Sequence, residues 1–428
     1  MSFVCGDVIE ELKKMPDNCF HGCLTDVPYE LGFMNKKWDQ TGIAFNVDMW
    51  KELYRVLKPG SYLLSFGGTR TFHRIACAIE DARFIVKDTI MWIFSSGFPK
   101  AADISKHIDR MKGLQREVVG QRTDGTGKQP LKMYNHGKSG STFNVTESTC
   151  AESTQWEGYK SCLKPAYEPI IVAQKPCEGT IAANCLKYGT GALNIENCRV
   201  PGQPRNPGFK NPHESHRDMM STSNRKLIDY QSPCDRFPAN IILENCDEVK
   251  NMFPNAPGQQ GDLVGHDKRS KGNCYGEYGP SPDHYRRIET VKNASRFFYT
   301  AKVSQRERNA GLEMLSDTLQ KNPMRSANGS GEKNFQGGFQ DKMVKNTHPT
   351  LKPISLTTYL AKLILPPIDN SNIIIPFAGT GSEVIGAVKA GWHTFTAIEK
   401  EKEYVDISEK RYKFWITDKE NDDQYTLF

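Results

Sequence analysis

Short apolar runs alternate with stretches of helical periodicity at both ends of the chain, and a long polar middle separates them. Val8 to Met15 reads as a helix and Cys19 to Leu24 as a buried strand. Val47, Trp50, Leu53, Tyr54 and Leu57 recur at helical spacing and stop at Lys58-Pro59-Gly60. Tyr62 to Phe66 then reads as a strand, Gly67-Gly68-Thr69-Arg70 as a turn, Thr71 to Asp81 as a helix and Phe84 to Phe94 as the next strand. The alternation predicts an α/β fold.

From Lys100 to Lys160 the composition shifts to Gly, Ser, Thr, Lys and Gln, which predicts an insertion rich in flexible loop. Pro169 to Ala173, apolar and bracketed by prolines, predicts a strand that closes the first half of the sheet. The chain then stays loop-heavy to about Asn346, with Ala239 to Leu243 and Arg296 to Thr300 as its clearest ordered pieces. The last eighty or so residues return to α/β character. Leu356 to Leu365 reads as a helix ended by Pro366-Pro367, Asn372 to Ile375 as a strand, Ser382 to Ala390 as a helix and Thr394 to Ile398 as a strand. Both ends thus read as parts of one sheet, and no internal repeat suggests otherwise.

Composition changes this picture only modestly. The 428 residues are 38% hydrophobic and 25% charged, with a mean hydropathy of -0.58, which suits a polar globular chain with long loops. A net charge of +6 is compatible with a polyanionic partner. No apolar stretch of about 18 residues occurs, and Met1-Ser2-Phe3-Val4-Cys5-Gly6-Asp7 lacks a signal-peptide pattern, so a cytoplasmic location without a membrane is expected. The twelve cysteines contain no Cys-x-x-Cys pair. Cys19 with Cys23 and His213 with His216 come nearest to ligand spacing, and no metal site is expected.

Two segments carry chemistry. Pro376-Phe377-Ala378-Gly379-Thr380-Gly381 follows a strand and precedes a helix, so a ligand would sit at the strand's carboxyl end against a turn that glycine permits. The third glycine of a dinucleotide fingerprint would fall at Val384, which weakens a nicotinamide or flavin reading; Phe-x-Gly-x-Gly fits S-adenosylmethionine better. Glu399 ends the next strand, placed to accept hydrogen bonds from ribose hydroxyls. The second segment, Thr25-Asp26-Val27-Pro28-Tyr29, offers a carboxylate, a proline-kinked backbone and an aromatic ring. That set suits a flat base held by its exocyclic amino group. Asp26 and a loop carbonyl would each accept one amino hydrogen, favouring a pyramidal nitrogen, while Tyr29 stacks on a base flipped out of its duplex. Pro176-Cys177 and Pro233-Cys234 lack the lead-in expected of a nucleophilic cysteine for ring-carbon methylation and read as structural or incidental.

The order of these segments, catalytic loop first and cofactor loop last, resembles the permuted (beta-type) amino-group DNA methyltransferases. His348-Pro349-Thr350-Leu351-Lys352-Pro353 is similar to the segment before the family's cofactor strand. The resemblance implies that Thr350 and Lys352 lie near the cofactor's methionine end and that Asp7 faces its adenine, beside Phe377, Gly379, Gly381 and Glu399. Gly32 to Asp39, Phe66 to Arg70, Leu163 to Pro169 and Arg236 to Asn240 resemble the phage and prophage branch of site-specific methylases. The implied fold is a Rossmann-like, circularly permuted methyltransferase sheet with a loop-rich inserted target-recognition region.

Two departures stand out. The family usually has Asp-Pro-Pro-Tyr where this chain has Val27 at the first proline, and it often has Asp where this chain has Ile375. Valine still supplies a carbonyl, and its place before Pro28 biases it to extended backbone, so reduced rigidity rather than lost chemistry is expected.

The resemblance implies a catalytic domain in two parts, 1–177 and 341–428, with target recognition at 178–340. Arg286, Arg287, Arg296, Arg306 and Arg308 are candidates to contact double-stranded DNA, with Tyr275 and Tyr285 supporting a displaced base. Methylation of adenine N6 is expected because Asp opens the catalytic loop. Cytosine N4, an impaired DNA-binding descendant, and RNA or protein amine methylation remain alternatives. A homodimer and an accompanying restriction nuclease stay open.

Overall fold

A computed structural model describes residues 1–32, 37–95, 97, 101–123, 142–201, 236–255, 293–301, 307, 309–312, 318–320, 342–344, 346 and 351–417. Its centre is a nine-stranded sheet. In chain order the strands are β1 (Ser2–Cys5), β2 (Phe20–Thr25), β3 (Leu57–Phe66), β4 (Ile85–Ile93), β7 (Tyr167–Gln174), β8 (Ile241–Glu244), β9 (Tyr299–Ala301), β12 (Asn372–Pro376) and β13 (Thr394–Glu399), and across the sheet they run β1-β13-β12-β2-β3-β7-β4-β8-β9. Two hairpins stand apart, β5 (Val118–Thr123) with β6 (Thr142–Thr146) and β10 (Thr318–Gln320) with β11 (Lys342–Val344). Within the sheet β7 alone runs antiparallel to its neighbours, β3 and β4. The two chain ends therefore build one sheet, with the last two strands inserted between the first two.

The central strands are buried on both faces, as parallel strands covered by helices must be. Leu24, Leu64, Ile170, Val172, Ile373 and Ile375 point to one apolar layer. Their alternates Cys23, Leu63, Ile171, Ala173 and Ile374 point to the other, where Met49, Trp50, Leu53 and Val56 of the helix Val47–Val56 pack. Asn46 caps that helix by accepting from the Asp48 N–H at 2.9 Å.

The chain then passes directly into β3 at Leu57, so the expected Lys58-Pro59-Gly60 breaker lies inside a strand. A register shift between Phe20 and Gly22 opposite it accommodates the proline. The helix Ile354–Leu363 is buried on nearly every side and lies against Ser382–Ala390. A Cβ on Gly386 would come within 2.3 Å of Thr357 Oγ1, so glycine lets the two helices approach this closely.

The span 100–160 is more ordered than its composition predicts. It holds the helices Ile104–Met111 and Ala151–Gln155 and the β5–β6 hairpin, while 124–141 lies outside the described residues. Arg116, almost enclosed, ties these pieces together through Asp109 at 3.0 Å and Glu157 at 3.2 Å. The helix Ile181–Tyr188 was not anticipated either. Its buried Asn184 donates to the Pro59 carbonyl at 3.0 Å and fixes the helix to β3. Strands β8 and β9 extend the sheet past β4 from within the long polar middle. Among the described residues, no helix is long and apolar enough to cross a membrane.

Candidate active site

Strands β12 and β2 are parallel neighbours from which the chain steps outward in opposite directions, to β13 on one side and to β3 on the other. In open α/β sheets a crevice forms outside the carboxyl ends of such strands. Both motif segments end there. The buried Thr25 hydroxyl donates to the Pro376 carbonyl at 2.8 Å and joins the end of β2 to the end of β12.

Just past Thr25, charged and polar groups from distant segments meet. The Tyr29 hydroxyl lies 2.9 Å from Asp26 Oδ1 and 3.1 Å from Glu168 Oε2. Lys352 Nζ lies 2.9 Å from that hydroxyl and 3.1 Å from both Asp26 Oδ2 and Glu168 Oε2. It also sits 4.9 Å from the centre of the Phe66 ring. Burial pulls the Lys352 ammonium toward neutrality, but the Asp26 and Glu168 carboxylates outweigh it and hold the group above the usual lysine range. Burial, then the same two carboxylates, pushes the Tyr29 hydroxyl well up. Lys352 thus fixes the Asp26–Tyr29 loop directly.

The backbone around Tyr29 is held as firmly. Its carbonyl accepts from Thr71 Oγ1 at 2.7 Å, and Asp39 closes the following turn by accepting from Glu30 N–H and Leu31 N–H at 2.9 and 3.2 Å. Val27 is 1% exposed, with its side chain in an apolar cluster that Phe377 of the glycine turn also packs against.

The glycine turn is shaped by backbone conformation. Phe377, Gly379 and Gly381 have φ of 56°, 50° and 83°, the left-handed region. The Gly379 N–H donates to Glu399 Oε2 at 2.8 Å, and Glu399 Oε1 accepts from the Glu401 N–H at 2.9 Å. Burial raises the Glu399 carboxyl, which its backbone hydrogen bonds oppose. Behind the turn, buried Arg411 donates to the Thr380 carbonyl and, at 3.3 Å, to the Glu307 carbonyl.

Asp7 begins the next element along this edge. It caps the helix Val8–Lys13 by accepting from the Ile9 N–H at 3.1 Å, and it pairs with Lys400 at 3.3 Å. Neighbouring Gly6 donates its N–H to the Glu399 carbonyl at 3.0 Å. Asp7, Gly379, Gly381 and Glu399 therefore line one edge of the crevice. Two carboxylates there, Asp7 and Glu399, have the chemistry that accepts hydrogen bonds from a nucleoside's hydroxyls.

The structure brings Asp26, Val27, Pro28, Tyr29 and Lys352 together on one side of the Thr25–Pro376 bond, with Phe377, Gly379, Gly381, Glu399 and Asp7 on the other. Arg296 lies elsewhere: it donates to the Asn293 carbonyl at 2.8 Å and stacks 4.3 Å from the centre of the Phe297 ring. Thr350, Arg286, Arg287, Arg306, Arg308, Tyr275 and Tyr285 fall outside the described residues.

Two acids were not singled out. Glu168 reaches the site because β7 is antiparallel, so its beginning lies where parallel β3 ends. The available signal was an acid opening an otherwise apolar strand. Glu383, 4% exposed in the first turn after the glycines, has its carboxyl raised to about 7 by burial and then by Asp26. Its signal was an acid two residues past Gly381, in a helix buried on nearly every side.

An α/β sheet whose carboxylate-and-tyrosine loop is stitched to a glycine turn across a topological switch defines a class of open α/β folds that bind ligands at the carboxyl ends of their strands. Within that class, the model of the N6 and N4 methyltransferase family described as DNA methylase matches residues 20–410, and the chain belongs to this family. It is similar to the Type II methyltransferase M.HindIII of Haemophilus influenzae, 24% identical over 232 residues, which are 44% of this chain and 63% of that one. It is also similar to the Type II beta methyltransferase M.BslI of a Bacillus species, 26% identical over 175 residues, 36% of this chain and 18% of that one. The chain thus spans less than two thirds of the length of these curated relatives. Among solved structures it resembles the PvuII DNA methyltransferase described as cytosine-N4-specific, at 10% identity and a TM-score of 0.42, covering 96% of this chain and 86% of that one.

Proposed function

We propose that the chain is a site-specific DNA methyltransferase that moves a methyl group from S-adenosylmethionine to the exocyclic amino group of a flipped base, with adenine N6 favoured. The observation that carries this reading is the single hydrogen bond, Thr25 to Pro376, that sets Asp26 beside the glycine turn. Bound S-adenosylmethionine supplies an electrophilic methyl group. Phe377, Gly379 and Gly381 would offer it their backbone, Glu399 and Asp7 the acceptors for a nucleoside, and Asp26 a negative field for a sulfonium cation.

The chain's own residues prepare the nucleophile. An exocyclic amine is weak because its lone pair is delocalised into the ring. Asp26 and the Val27 carbonyl, each accepting one amino hydrogen, would turn that lone pair toward the methyl carbon. Tyr29 supplies the stacking face, and Lys352 holds Asp26 and Tyr29 in place so that little reorganisation remains. The target base leaves the duplex to reach this pocket.

Several finer readings go with it. The chain order, with β2 before β12, supports the permuted beta-type arrangement. The span 178–340 serves target recognition on double-stranded DNA, with Arg286, Arg287, Arg306 and Arg308 as its phosphate or base contacts. The test is incubation with unmethylated DNA and methyl-labelled S-adenosylmethionine, followed by nucleoside analysis. We expect label in N6-methyladenine and a loss of about 100-fold or more in Asp26→Ala. Label in N4-methylcytosine alone would reverse the choice of base; no label in any base despite proven cofactor binding would overturn the activity.

A further inference from the structure

The Tyr29 hydroxyl has one proton to give and two carboxylates within reach, Asp26 Oδ1 at 2.9 Å and Glu168 Oε2 at 3.1 Å. Lys352 Nζ contacts the hydroxyl and both carboxylates at 2.9 to 3.1 Å. Its three hydrogens are matched by three acceptors, so it has no reason to move when the hydroxyl's proton turns from one carboxylate to the other. Both acceptors lie within hydrogen-bonding distance of the same oxygen, so the Tyr29 ring can stay still as well.

This arrangement meets a demand set by the proposed function, on which the inference rests. If the substrate's amino hydrogen comes to Asp26 Oδ1, that oxygen would share its lone pairs between it and the tyrosine proton, and each bond would weaken the other. We propose that Glu168 is a positioning residue that takes over the Tyr29 hydroxyl bond when the substrate amino group occupies Asp26. Without Glu168, the tyrosine proton and the amino hydrogen would compete for Asp26, a loss of the size that slows turnover about tenfold. With it, the exchange is one hydrogen bond for another. The antiparallel course of β7 is what brings this second acceptor to the end of β2.

The rival role for Glu168 is structural, as a counter-charge to Lys352, and a double-mutant cycle separates the two. Glu168→Ala should lower kcat/KM for methyl transfer about tenfold. In a Tyr29→Phe background, where no hydroxyl needs a new acceptor, the same replacement should cost less than about twofold. An equal loss in both backgrounds would overturn the switch. A second measurement does not depend on turnover: protein isotope-labelled at the tyrosine Cζ, with the Tyr29 resonance assigned through Tyr29→Phe. That resonance should move little in Asp26→Ala or Glu168→Ala and shift strongly only when both are replaced. A full shift in Asp26→Ala alone would show that Glu168 does not accept the proton. Failure of the unmodified chain to methylate DNA would sink the proposed function, and the resonance would still decide the switch.

Discussion

The Asp26–Tyr29 loop and the glycine turn follow neighbouring strands joined by the Thr25–Pro376 hydrogen bond, yet they are held by different means. From Asp26 to Tyr29 no residue has positive φ, the first being Glu30, and side chains do the holding: Lys352 and Glu168 arrive from segments far along the chain to pin two residues of the loop. Around Gly379 the backbone itself is unusual, with three residues at positive φ, and bonds to Glu399, Ile398 and Arg411 from later in the chain support it. The first loop should tolerate backbone substitution and fail on loss of charge. The second should tolerate neither a Cβ nor a shift in its helix.

The largest effect expected is that of Lys352→Met. Removing a nearly enclosed ammonium leaves Asp26 and Glu168 facing each other uncompensated, which should cost about 3 kcal/mol in denaturant unfolding. Little change in stability would mean that charge is not what holds the catalytic loop. Next is Gly381→Ala. At φ 83°, with Ser408 Oγ 2.2 Å from where the new Cβ would lie, strain of about 2 kcal/mol is expected, with weaker cofactor binding by calorimetry. Full binding and stability in that variant would show the turn to be less constrained than its backbone angles imply.

The same contrast explains what the sequence made legible. Motifs held by local backbone, such as Pro376 to Gly381 followed by its helix and Glu399, announce themselves through glycine placement and strand order, and the structure sets them at one crevice. Asp26 and Tyr29 were equally plain because they are neighbours on one loop. Glu168 also lay in a recognised segment, but its place at the site was not visible, because its partners become neighbours only through the antiparallel run of β7. Lys352 stood in a recognised segment, but its contacts run to Asp26, Tyr29 and Glu168. The polar composition of 100–160 hid two helices whose glue is a single nearly enclosed Arg116 network rather than an apolar stripe. The Lys58-Pro59-Gly60 breaker hid the start of a strand, because a bulge absorbs it.

Glu383 sharpens the comparison through pH, since it stands on the helix of the glycine turn and feels the carboxylate of Asp26. Its carboxyl is raised from 4.5 to about 7, so between those values the folded chain holds a proton that the unfolded chain has released. Stability therefore falls as pH rises through this window, by up to about 1.4 kcal/mol per pH unit. Glu383→Gln should flatten that part of the stability profile. An unchanged slope would show that Glu383 is already ionised and paired within the fold.

The smallest effect expected is that of Val27→Pro, which restores the residue the family has at this position. Val27 precedes Pro28 and is already biased to extended backbone, so a proline ring there asks for little rearrangement and removes freedom mainly from the unfolded chain. A change in stability within about 1 kcal/mol is expected, with methyl transfer close to that of the native chain, because position 27 keeps its carbonyl. The alternative outcome would be informative. Val27 is 1% exposed in the cluster that Phe377 packs against, so a marked loss of cofactor binding in Val27→Pro would mean that its isopropyl group, and not only its carbonyl, couples the two loops. In that case valine is part of how this chain joins its catalytic loop to its glycine turn, rather than a tolerated departure from the family's proline.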